Sequence, residues 1–99
     1  MLLEITPEGN EYLDEVLNKM LDYPYIEEDK RLSKSKKDRY IQETIILLYF
    51  KRRPETAEDV IAENRRKLPN SDADWKGIIR GFFESGYIEP VGSVQGEAL

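Results

Sequence analysis

Ninety-nine residues, 39% hydrophobic and 35% charged with a net charge of −5, suit one domain with one modest core. There is no cysteine and no histidine, so a disulfide is excluded, and the commonest general base and commonest transition-metal ligand are both missing. No run of about 18 apolar residues occurs, so no membrane span is expected; the start MLLEITPEGN lacks a basic region followed by an apolar one, so a cytoplasmic protein is expected.

The charge is unevenly spread. Residues 1–29 hold nine acids and one base, residues 30–80 fourteen bases and eight acids, and residues 81–99 three acids and no base. Overall acidity argues against indiscriminate nucleic-acid binding, while the basic centre leaves a local contact open.

In chain order, Leu2–Ile5 reads as a short strand. Thr6-Pro7 then begins a helix, with threonine as N-cap and proline at the first helical position. Tyr12, Leu13, Val16, Leu17, Met20 and Leu21 fall on one face of it. Tyr23-Pro24 ends it, because the residue before proline avoids helical backbone. Residues 22–36 form a linker holding Tyr23, Tyr25, the acidic triplet Glu27-Glu28-Asp29 and the start of a basic run. The triplet lacks the alternating spacing and the glycine of a calcium loop, and no metal or other cofactor is expected.

Ser35 with Asp38 resembles a capping box and predicts a helix to about Arg52. Its centre, Ile45–Phe50, is apolar nearly all round, as the middle of a core would be. Pro54 ends it. Thr56 with Asp59 opens a third helix, Ala57 to about Lys67, with Ala57, Val60, Ile61, Asn64 and Leu68 on the inner side. After the Pro69-Asn70 turn, Ser71 with Asp74 opens a fourth over residues 72–85. Trp75, Ile78, Ile79, Phe82 and Phe83 make its apolar stripe, and Gly86 stands where a helix end must turn left-handed. Tyr87–Val91 reads as a strand whose partner is Leu2–Ile5. The expected fold is mainly α with a small β ribbon: about four helices and a two-stranded antiparallel sheet from the chain ends. Residues 1–91 form the domain and 92–99 a flexible tail.

Three features resemble a winged helix-turn-helix domain of the MarR-like and PadR-like kind. They are the helix order over residues 36–85, the junction Phe83-Glu84-Ser85-Gly86-Tyr87-Ile88, and Leu3-Glu4-Ile5-Thr6-Pro7-Glu8-Gly9. The last resembles that family's second wing strand and following helix, but here it opens the chain. The resemblance implies a small DNA-binding transcriptional regulator with helix 72–85 as recognition helix. Lys76 and Arg80 would face the DNA, Gly77 and Gly81 would let a backbone come close, Arg65, Arg66 and Lys67 would hold phosphates, and Lys34, Lys36 and Lys37 would add a second basic edge. Asp72 and Asp74 oppose this, since they would repel phosphate.

The alternative is a protein-interaction or adaptor domain on the same plan, using Tyr23 and Tyr25. The remaining aromatics, Phe83 included, are assigned to the core. Gly77 and Gly81 also suit close helix packing, against the helix over residues 7–21 or across a homodimer. No phosphate loop, dinucleotide fingerprint or G-x-S-x-G occurs, and no enzyme is expected.

Overall fold

The start of the chain lies between two strands from its later part. The computed structural model describes residues 1–21 and 34–92. In it β1 (Leu2–Ile5) is the middle strand of an antiparallel sheet, flanked by β2 (Glu55–Thr56) and β3 (Ile88–Pro90). Leu3, Glu4 and Ile5 pair with Pro90, Glu89 and Ile88; Leu2 and Leu3 pair with Thr56 and Glu55. The helices are α1 (Pro7–Leu21), α2 (Lys34–Arg52), α3 (Ala57–Lys67) and α4 (Trp75–Glu84). A mainly helical fold with its ends joined as a ribbon is therefore present, but the sheet has three strands rather than two. Two residues carry no alternation, so β2 left no pattern to read. Thr56 also serves as the N-cap of α3.

Local chemistry sets most boundaries. Thr6 Oγ1 accepts from the Gly9 amide at 3.0 Å and caps α1, and Thr56 Oγ1 accepts from the Asp59 amide at 3.1 Å and caps α3. Gly86 ends the α4 turn at φ 76°, backbone that glycine adopts without a Cβ penalty. Two starts differ from the sequence reading. α4 begins at Trp75, because Asp74 rather than Ser71 is its cap, accepting from the Gly77 amide at 3.0 Å. Ser71 Oγ instead accepts from the Ala73 amide in the turn before it. α2 begins at Lys34, which puts Ser35 inside the helix instead of at its cap.

The core gathers Leu3, Leu13, Ile46, Leu47, Phe50, Val60, Trp75, Ile78, Ile79, Phe82 and Ile88. Ile46, Leu47 and Phe50 are buried, so the apolar middle of α2 is the helix that the rest pack around. Each such side chain contributes roughly 1.5–3 kcal/mol by leaving water. Asn64 is buried with them and stays satisfied because its Nδ2 donates to the Val60 carbonyl at 2.8 Å. Three residues assigned to the interior are not there: Leu48, Leu68 and Phe83 are exposed.

α1 is fastened at the α4–β3 junction. The Thr6 amide donates to the Tyr87 carbonyl at 3.0 Å, and Thr6 Oγ1 donates to the Gly86 carbonyl at 2.6 Å. Gly9 lies against the Tyr87 carbonyl so closely that no Cβ fits, with Ile5 Cγ1 2.7 Å from where one would stand. Tyr12 stacks on Tyr87 with ring centroids 4.5 Å apart and meets Phe82 edge-on at 6.1 Å. The Tyr12 hydroxyl donates to Glu43 on α2, whose other oxygen accepts from Arg39 Nε at 3.1 Å. Burial first, then Glu43, pushes the Tyr12 hydroxyl well above the ordinary phenol range.

Candidate functional site

α3 and α4 are short, capped helices, and each buries one side. On α4, residues Trp75, Ile78, Ile79 and Phe82 face the core. One residue on from Phe82 is about 100° round the helix, so Phe83 leaves that side and is 49% exposed. Between the outer sides of α3 and α4 runs an open groove of about 820 Å³. Its floor and walls are apolar: Leu3, Ala57, Ile61 and Ile79, with Ala62, Phe83 and Met1 toward solvent. Its rim carries Arg65, Lys76 and Arg80 together with Glu58 and Glu84.

The predicted basic set therefore divides. Arg65, Lys76 and Arg80 converge on this groove. Arg66 and Lys67 lie outside it and pair with Glu63 at 3.8 and 3.0 Å. Lys67 Nζ also donates to the Tyr49 hydroxyl at 3.4 Å, and Arg52 lies over the same ring at 5.3 Å. The Glu63 bond, then Tyr49, raises the Lys67 pKa, and the Lys67 bond lowers that of Glu63. Lys34, Lys36 and Lys37 stand in the first turn of α2; Lys36 and Lys37 do not line the groove, and the Lys34 side chain lies outside what the structure describes. Tyr23, Tyr25 and the Glu27–Asp29 triplet lie outside the described residues.

The two interior glycines of α4 have different explanations. A Cβ at Gly77 would collide with the Asp74 carboxylate, so glycine there keeps the helix cap. At Gly81 nothing lies within 4 Å of where a Cβ would stand. Neither packs against α1; that close approach is made by Gly9. Asp72 lines a second, smaller cleft of about 260 Å³ with Asp38, Ile41, Ile45, Leu68 and Trp75.

Phe83, Met1 and Glu58 were not legible as site residues from the sequence, whereas Glu84 falls on the same outer face of the fourth helix as Lys76 and Arg80. The signal available for Phe83 was angular: it sits at the edge of the α4 stripe. For the others, only the packing of α3 beside α4 reveals their common groove. What the arrangement offers is an apolar trough with charges of both signs on its rim, suited to holding a surface. Among the described residues no group of three acidic, histidine or cysteine side chains is placed to hold a metal, and no helix is long and apolar enough to cross a membrane. No family model, curated protein or solved structure matches this chain.

Proposed function

We infer that this chain is a non-enzymatic protein-interaction module on a winged-helix-like plan, and that the groove between α3 and α4 receives its partner. The observation that carries the reading is Phe83, half-exposed beside Met1 over an apolar floor. An exposed apolar cluster rimmed by charge is what a docking surface needs, and it costs solubility if nothing covers it. Three cations and two carboxylates give the rim a near-balanced field. That suits a protein of mixed charge better than a phosphate backbone, and the net charge of −5 points the same way. The winged-helix-like plan is supported by the strand order β2-β1-β3, with the α3–α4 pair between β2 and β3. A cytoplasmic location is part of the same proposal.

A second reading, a DNA-binding transcriptional regulator, is favoured by one observation. Arg65, Lys76 and Arg80 reach a single groove from the two helices of a helix-turn-helix-like pair. A homodimer would then supply the second half-site.

Measuring partner capture from cell extract and duplex binding on the same variants separates the two. The expected result is that Phe83→Asp abolishes capture of a discrete protein, that replacing Arg65, Lys76 and Arg80 with alanine only weakens it, and that duplex affinity stays weak at physiological salt. Tight duplex binding that the triple variant loses would transfer the conclusion to DNA. Its affinity should then fall by roughly 0.9 log units per log unit of salt for each phosphate contacted.

A further inference from the structure

The groove is not evenly charged along its length. On α3 the carboxylate Glu58 stands in the first turn and Arg65 near the end; on α4 Lys76 comes in the first turn, Arg80 midway and Glu84 last. Residues 68–74 join the two helices, and the Ser71 amide donates to the Leu68 carbonyl at 3.1 Å within that tight connection. The connection keeps the C-terminal end of α3 by the N-terminal end of α4. By their places on the two helices, Arg65 and Lys76 fall nearer the turn, Glu58 and Glu84 farther from it, and Arg80 between.

We propose that the groove binds an amphipathic helix of a partner protein in one direction, its acidic first turn against Arg65, Lys76 and Arg80 and its basic last turn against Glu58 and Glu84. This rests on the protein-interaction reading and adds the partner's chemistry to it. Ile61, Ile79 and Phe83 accept apolar side chains spaced three and four residues apart, the spacing that a helix presents along one face. Ala57 and Ala62 are small, so the wall formed by α3 lets a helix backbone come near. The charge order also matches what a helix prefers on its own account, because its dipole favours acids at the N-terminus and bases at the C-terminus. A stable partner helix therefore carries the complementary pattern already, and exchanging the charges would weaken that helix and set like charges against the rim unless it turned end for end.

The test is fluorescence anisotropy of the full chain with labelled peptides of about fourteen residues, roughly four helical turns. All have leucines along one face. One has glutamates in the first turn and lysines in the last, a second has the charges exchanged, and a third has glutamine at both ends. The acid-first peptide is expected to bind about tenfold tighter than the exchanged one, since each exposed pair adds little but several act together. The glutamine peptide should fall between them. Arg65→Glu with Arg80→Glu should shrink the preference to a small remnant, because Lys76 and the two carboxylates Glu58 and Glu84 remain. Phe83→Asp and, separately, Ala62→Arg should weaken all three peptides at unchanged melting temperature, since both positions are exposed. Equal affinity for the three peptides would overturn the directional proposal and leave the docking reading standing. Binding of none of them, or binding that survives both groove variants, would overturn the two together.

Discussion

At the junction of α1 with the α4–β3 turn, donors meet acceptors from distant parts of the chain. Thr6 bonds to Gly86 and Tyr87, Tyr12 stacks on Tyr87 and bonds to Glu43, and Gly9 leaves no room for a side chain. At the α3–α4 groove the situation is reversed. Phe83 and Met1 line it and stand about half or more in solvent. The first region is used up by folding, since it fixes the N-terminal strand in the middle of the sheet. The second has apolar area and charge left over after folding is complete, and a working surface is built from such a remainder. Substitutions should accordingly cost stability in the first region and binding in the second.

The largest expected effect is at Gly9. Gly9→Ala forces the Tyr87 carbonyl or the Ile5 side chain to move, and should destabilise by about 1–3 kcal/mol in urea unfolding. A wild-type midpoint in that variant would mean that α1 is not held where described. Tyr12→Phe should follow with a loss of about 1–3 kcal/mol, because the buried Glu43 carboxylate keeps only Arg39. The Tyr12 hydroxyl is held in its protonated form by the fold. Its contribution is therefore full below about pH 10 and fades as pH rises beyond it, and the Phe variant should lack that alkaline decline.

Much of the fold was legible because its signals are local. Thr6-Pro7, Thr56 with Asp59, and Gly86 each announce a helix boundary through backbone chemistry within a few residues, and the structure has those boundaries. The apolar run Ile45–Phe50, following the start at Ser35 with Asp38, announced the central helix. The groove was not legible in the same way. Periodicity gives the direction of a side chain but not whether another element arrives to cover it, and so Phe83 and Leu68 were read as interior. The eight basic residues likewise had no address until α3 was packed beside α4, which gathered three of them and left Arg66 and Lys67 with Glu63.

Smaller effects sharpen the contrast. Gly81→Ala should stabilise by up to about 1 kcal/mol, since a helix interior favours alanine and space is open there. A thermal melt that shows a loss instead would place an unrecognised contact on α4. The smallest change is expected at Glu55 on the edge strand β2. Arg53, with Arg52 behind it, holds this carboxylate below its ordinary range. A lowered pKa stabilises the fold above about pH 5, and the gain fades as pH falls through the folded value. Glu55→Gln should thus melt slightly earlier at pH 7, and the difference should close as the pH falls through the folded value.

The central claim is that the fold leaves one face free for a partner, and amide shift mapping of the isotope-labelled chain tests it most directly. Titration with the acid-first peptide should move resonances of Ile61, Ala62, Arg65, Lys76, Arg80 and Phe83 while residues 6–12 stay still. Shifts centred on α1 or the first turn of α2, with the α3–α4 groove unmoved, would contradict the account.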